Sequence, residues 1–161
     1  STPLLFVVPS SVQANSLKDF IALAKSKPGQ LNYASSGNGT ILHLSGETLK
    51  SAAGIDMVHV PYKGSAPAVM ATLAGETTAT FSTMPAALPH VRSGKMRALG
   101  VTSSKRNPAL PDVPTMSETL PGFQILLYSG ILAPAGTPDE IVKRINAEIS
   151  KGLKEPETLK T

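Results

Sequence analysis

The sequence predicts an α/β fold with a mainly parallel sheet flanked by helices. Three observations predict it. Short apolar strands alternate with amphipathic helices three times between residues 31 and 102. A polar turn parts each strand from the helix that follows. A glycine then closes each helix, at Gly54, Gly75 and Gly94, where a residue without Cβ enters the left-handed region at no steric cost. Strand–helix–strand units of this length cross over with a right hand and pair in parallel.

The chain opens on an apolar strand, Leu4–Val8. A helix follows from about Ser16 to Lys27. Ser16 and Asp19 have the spacing of a capping box, and Leu17, Phe20, Ile21 and Ala24 fall on one face. Pro28-Gly29 ends it. The first unit is a strand at Leu31–Ser35, a Gly-rich turn at Ser36–Thr40 and a helix at Ile41–Ala53. The second is Met57–Val60, Tyr62–Ser65 and Ala66–Ala74. In the third, a Thr77–Ser82 strand leads through Thr83–Pro85 into a helix at Ala86–Ser93. Pro89 fits that helix only near its first turn or at a kink. Arg97–Thr102 is a fourth strand.

Residues 103–122 change character, with Pro108, Pro111, Pro114 and Pro121 spacing out a loop. Thr115 and Glu118 form a capping box for one short turn inside it. A second apolar strand is expected at Ile125–Leu132. Thr137, Pro138 and Glu140 together signal a helix start: a cap, a preset first position and an acid that reaches back. Ile141, Ile145, Ile149 and Leu153 are its expected buried stripe, and Pro156 its stop. Residues 10–122 thus read as one α/β lobe bracketed by two apolar strands. The last helix has little of that lobe left to pack on.

Composition narrows the function. A length of 161 residues suits one domain, or one and a part, and buries a core without staples. With no cysteine there is no disulfide framework and no Cys-based metal site. Charged residues are 16% against 41% apolar, which excludes a disordered chain. Aromatics at 4% argue against a base-stacking platform, and the 15 Lys and Arg form no stripe, so no nucleic-acid partner is expected. No apolar run is long enough to span a bilayer. The first ten residues carry no charged segment of an export signal, and the chain lacks an initiator Met. It reads as a fragment or a processed piece.

In an open α/β sheet the ligand lies beyond the carboxyl ends of the strands. The three turns should gather there, each opening a helix whose free N–H groups favour an anion. Their residues are small donors: Ser35, Ser36, Gly37, Asn38, Gly39 and Thr40; then Lys63, Gly64 and Ser65 after Tyr62; then Ser82 and Thr83. Each turn alone is ordinary cap chemistry; the convergence of three makes a candidate site. None of the 11 acids lies in these turns, which suits a small carboxylate and leaves no carboxylate pair for acid–base work. The Lys63 charge would steer anions or simply be solvated.

Other chemistry is absent from the pattern. The Gly37-Asn38-Gly39 turn lacks the third glycine of a dinucleotide fingerprint, since position 42 is Leu42. Lys63-Gly64-Ser65 has the wrong order for a phosphate loop. No nucleophile elbow occurs, and no nucleophile–base pair marks a hydrolase or transferase. His43, His59 and His90 lie far apart in sequence and read as structural histidines, so no metal and no cofactor are expected. Asn38-Gly39-Thr40 matches a glycosylation triplet, a match common by chance.

Several segments together resemble a family. They are Lys27-Pro28-Gly29 with Leu31 to Thr40, His59 to Ala68, Gly94 to Leu99, Leu110-Pro111-Asp112-Val113-Pro114-Thr115, and Ala133 to Pro138. Val60-Pro61-Tyr62-Lys63-Gly64 and Pro111-Asp112-Val113-Pro114-Thr115 are the most specific. The chain resembles the extracytoplasmic solute-binding proteins of tripartite tricarboxylate transporters, the TctC or Bug family, over essentially its whole length. The resemblance implies a periplasmic-binding-protein type II-like lobe from a two-lobed clamshell about twice as long. Residues 1–9 would be the first crossing strand, 10–122 the second lobe, and 123–161 the return strand and a helix of an incomplete first lobe. It implies a periplasmic location, a small organic carboxylate held between lobes without catalysis, and membrane permease subunits as partners. A carboxylate-sensing module that presents its liganded form to a signalling protein is the alternative. The implied contacts are the Ser35–Thr40 loop, the helix start after Gly64 and the loop near Ser82, where Ser82 to Pro85 would tune the acid bound. Tyr128 departs from the family's usual Trp. Without the first lobe, the apolar faces of Leu4–Val8 and of the last helix would invite self-association.

Overall fold

A computed structural model describes residues 2–155, which form two compact units dividing after Tyr128. The first holds β1 (Thr2–Pro9), α1 (Leu17–Ser26), β2 (Asn32–Ser35), α2 (Ile41–Ala53), β3 (Val58–Pro61), α3 (Ser65–Leu73), β4 (Ala79–Thr83), α4 (Met84–Arg92), β5 (Met96–Val101), a 3-10 turn (Met116–Glu118) and β6 (Leu126–Leu127).

The sheet runs β3-β2-β4-β1-β5, with β6 paired to β1. β2 pairs in parallel with both β3 and β4. β1 is antiparallel to β4, β5 and β6. The strands of the three strand–helix units and β5 therefore share one direction, and β1 alone runs against them. The sheet is mixed through that one strand. Parallel strands need crossovers, which the helices supply.

β1 explains its own composition. Leu4, Phe6 and Val8 enter a core with residues of α1 and α2, while Leu5 and Val7 enter a second core with Val69 of α3 and Met84 and Ala87 of α4. Side chains alternate along a strand, so a strand covered on both faces must be apolar throughout. Phe6 meets Phe20 edge-on at 5.0 Å and Phe81 at 4.8 Å between ring centres. Each such buried side chain contributes about 1.5–3 kcal/mol.

Caps fix the helix starts. The Ser16 hydroxyl accepts the Asp19 N–H at 3.1 Å, and the Asp19 carboxylate accepts the Asn15 N–H at 3.0 Å. The second helix lies on the residues the sequence predicts, Ile41–Ala53, and Gly54 ends it at φ 60°. Gly46 lies against the Tyr33 ring so closely that a Cβ there would stand 2.1 Å from Tyr33 Cε2. In the 3-10 turn the Glu118 carboxylate accepts the Thr115 N–H at 2.9 Å, as the capping box predicts, and pairs with Arg106 at 2.8 Å. The Arg106 guanidinium first, then that N–H, holds the Glu118 carboxyl at about 2.

Several expectations need correction. No separate Thr83–Pro85 turn exists: Thr83 ends β4 and occupies the cap position of α4, which starts at Met84, without a side-chain cap bond. Pro89 consequently lies inside α4, where it removes one helical hydrogen bond, and the helix ends soon after. The strand expected at Ile125–Leu132 shrinks to Leu126–Leu127, because Leu127 already pairs with Thr2 at the described end of β1. Ile131 and Leu132 are exposed without regular structure.

The second unit contains α5 (Asp139–Gly152). Its expected cap is also corrected. Pro138 is the cap residue and makes no side-chain bond, and the Thr137 hydroxyl donates to the Pro134 carbonyl at 2.8 Å instead. No α5 residue is buried. Ile141, Ile145 and Leu153 are 49%, 44% and 60% exposed, so the predicted buried stripe is an open one. Amphipathic spacing forms the helix but does not supply its cover. Pro156, the predicted stop, lies outside the described residues.

Candidate functional site

The shared direction of β2, β3 and β4 puts their carboxyl ends at one edge. Ser35 and Pro61 pair in register at the ends of β2 and β3, and the Tyr62 N–H donates to the Ser35 carbonyl at 2.9 Å. A Cβ on Gly37 would stand 3.5 Å from the Tyr62 carbonyl oxygen, so the first two turns touch. The Ser65 and Ser82 hydroxyls lie 3.2 Å apart and link the second turn to the third. The three turns form one contiguous surface.

The first turn satisfies itself. Ser35 is buried; its hydroxyl donates to the Gly37 carbonyl at 3.2 Å, accepts the Gly37 N–H at 3.1 Å and meets His59 Nε2 at 2.6 Å. Which partner donates in the Ser35–His59 bond is set by the imidazole tautomer. The Ser36 hydroxyl donates to Thr40 Oγ1 at 3.0 Å, which donates to the Gly37 carbonyl at 2.8 Å and caps α2 by accepting the His43 N–H. Gly37 and Gly39 sit at φ 129° and 74°, conformations that side-chain-bearing residues rarely adopt. Asn38 and Gly39 are exposed at the tip, and the Gly39 N–H donates to His43 Nδ1 at 3.1 Å.

The other two turns are open. Gly64 begins α3 at φ 122° and has no side chain to cap it. Thr83 begins α4 and makes no side-chain cap bond. Ser82 is buried, its hydroxyl donating to the Thr83 carbonyl at 3.2 Å. Lys63 is exposed. The first-turn N–H groups of a helix have no intrahelical acceptor. Pro67 and Pro85 have none to offer, so Ser65, Ala66, Met84 and Ala86 carry the uncapped backbone donors. The sequence predicts free N–H groups at these helix starts but opens the helix at Ala66, where Ser65 would cap it; α3 instead starts at Ser65, which leaves Gly64 at the cap position.

Beneath the first turn the fold stacks residues that are distant in sequence. His43 and His59 were read as separate, yet their rings stack at 4.0 Å and 23°. His59 also stacks on Tyr33 at 5.0 Å. Parallel register places His59 beside Tyr33, and His43 lies in the first turn of the helix above them. The Tyr33 hydroxyl donates to Glu47 Oε1 at 2.7 Å, and Lys50 pairs with the same oxygen at 3.1 Å. Burial first, then the Glu47 carboxylate, pushes the Tyr33 hydroxyl upward. Burial would raise Glu47, but the Tyr33 and Lys50 bonds outweigh it and lower the carboxyl. Burial first, then the His43 ring, lowers His59. His90 stands apart in the last turn of α4.

The family model described as tripartite tricarboxylate transporter family receptor matches residues 1–161. The UPF0065 protein in the tcbD-tcbE intergenic region of Pseudomonas sp. (strain P51) is 39% identical over 159 residues, 98% of this chain and 47% of that protein. Among solved structures, R. palustris Rpa4515 with adipate superposes at a TM-score of 0.92 with 36% identity, over 97% of this chain and 52% of that one. MatC (Rpa3494) from Rhodopseudomonas palustris with bound malate gives 0.91 and 33%, over 96% and 53%. Other matched structures are periplasmic by their own descriptions. The chain spans about half the length of these relatives.

Proposed function

The chain belongs to the tripartite tricarboxylate transporter family of receptors, and from that premise we propose that it supplies the carboxylate-holding lobe of a solute-binding protein. The observation that carries the reading is the pair of uncapped helix starts, α3 and α4, beside the Ser35–Thr40 loop, in turns whose own residues include no acid. A carboxylate there accepts N–H bonds from Ser65, Ala66, Met84 and Ala86, and the helix dipoles favour its charge. A hydrogen bond to a charged group is worth about 1.5–3 kcal/mol. Lys63 steers the anion, and the Asn38 tip closes over it. Adipate and malate in the two superposed relatives support a small dicarboxylate or tricarboxylate as the ligand.

In this reading residues 10–122 are the second lobe, and residues 1–9 and 123–161 connect to and complete a first lobe. The acid lies between the lobes. Closure over it excludes water and creates the shape that membrane permease subunits recognise in the periplasm. No bond is made or broken in the ligand, so the site needs no nucleophile, metal or cofactor. Calorimetry of the full-length protein against a panel of dicarboxylates and tricarboxylates tests this. One acid should bind to the full-length protein and only weakly to this chain. Equal, tight binding by the chain alone would overturn the split site, and no binding of any acid would overturn the ligand class.

A further inference from the structure

We propose that Asn38 is a self-modifying position, at which the side-chain amide is converted to a carboxylate through a cyclic imide with the Gly39 backbone nitrogen, His43 acting as the base. A backbone nitrogen attacks a neighbouring amide carbon well only as it loses its proton. It needs an uncrowded approach and a base aligned with that proton. Both are present. Gly39 has no side chain, and nothing lies within 4 Å of where its Cβ would stand. Its N–H points at His43 Nδ1, 3.1 Å away, so Nδ1 presents a lone pair to the proton. Stacking on His59 at 4.0 Å holds the His43 ring in place. The bonds of the loop gather on Ser35, Ser36, Gly37 and Thr40, and among the described residues none ties down the exposed Asn38 side chain.

The step balances without an outside reagent except water. Gly39 N forms a bond to Asn38 Cγ while its proton passes to His43 Nδ1. The Cγ–Nδ2 bond then breaks, and Nδ2 takes that proton and leaves as ammonia. Water opens the five-membered imide at either carbonyl, leaving aspartate or isoaspartate at position 38 and a neutral His43. The product adds a negative charge to the tip of an acid-free loop. Its effect on a bound carboxylate rests on the proposed function; the chemistry does not.

The test follows peptide mass and isoaspartate content at position 38 in the purified chain during warm, mildly alkaline incubation. The folded chain should convert faster than the same chain unfolded in urea. His43→Gln, confirmed folded by circular dichroism, should lose that excess, a fall of about a hundredfold if the base contributes at the lower end of its usual range. Conversion no faster in the folded chain, or an excess that survives His43→Gln, overturns the proposal. Asn38→Asp in the full-length protein separates the two readings. Weakened carboxylate binding agrees with both. Unchanged binding removes the tip from the ligand site and leaves the chemistry standing.

Discussion

The start of α2 and the starts of α3 and α4 sit at the same sheet edge and are built from similar small residues, yet their hydrogen bonding is opposite. Before α2, the Ser35, Ser36 and Thr40 hydroxyls are all engaged within the loop, and even the Gly39 N–H is taken by His43. Before α3 and α4 no side chain caps the helix. The first turn is therefore a wall whose shape is set from inside, and the other two are the surface with donors to spare. Hydroxyl content does not distinguish them. What distinguishes them is whether the residue at the cap position has an oxygen and bends it back to its own helix.

The largest effect should come from breaking the wall. Gly46→Ala puts a methyl into the Tyr33 ring and should destabilise the fold by about 1–3 kcal/mol or more, read by urea denaturation. A wild-type midpoint would mean that Tyr33 yields freely and the wall is soft. Next, Ser65→Pro in the full-length protein deletes a donor where helices tolerate proline. Compared with Ser65→Ala, which loses only the hydroxyl, it should weaken carboxylate binding by about 1.5–3 kcal/mol in calorimetry. Equal affinities for the two variants would place the ligand elsewhere.

Smaller effects test the cap. Thr40→Ala should cost about 1 kcal/mol of stability. Its binding should change less than that of Ser65→Pro, since the hydroxyl is already occupied. The smallest is a pH effect. Burial lowers His59 from its ordinary 6.5, so the unfolded chain binds the proton more readily. Stability should accordingly fall as pH drops through 6.5 and flatten below the folded value. His59→Gln should flatten that slope in thermal melts at several pH values; an unchanged slope would assign it to other groups.

Much of this contrast was legible in the sequence, and some was not. The Gly54 stop after Ile41–Ala53 and the caps at Ser16 and Thr115 are local, and local signals located those elements. The apolar run of β1 follows from burial on both faces. By contrast, the Ile141–Leu153 stripe announces an apolar face but not what covers it. Thr137 lost its cap role because α5 starts one residue later, leaving Pro138 at the cap position, a shift that spacing alone does not report. The His43–His59 stack depends on strand register, which no local pattern reports.

The placement of β1 also governs how this chain can come into being. Its two long neighbours are β4 and β5, and the Leu4 N–H is satisfied by the Thr102 hydroxyl, 98 residues later. During synthesis this apolar strand therefore emerges before both partners and waits while five other elements are made ahead of β4. Contacts this distant in sequence make folding slow, and an unpaired apolar strand is sticky meanwhile. Residues 2–9 are thus the segment a holding chaperone would have most reason to cover until residue 102 has been made.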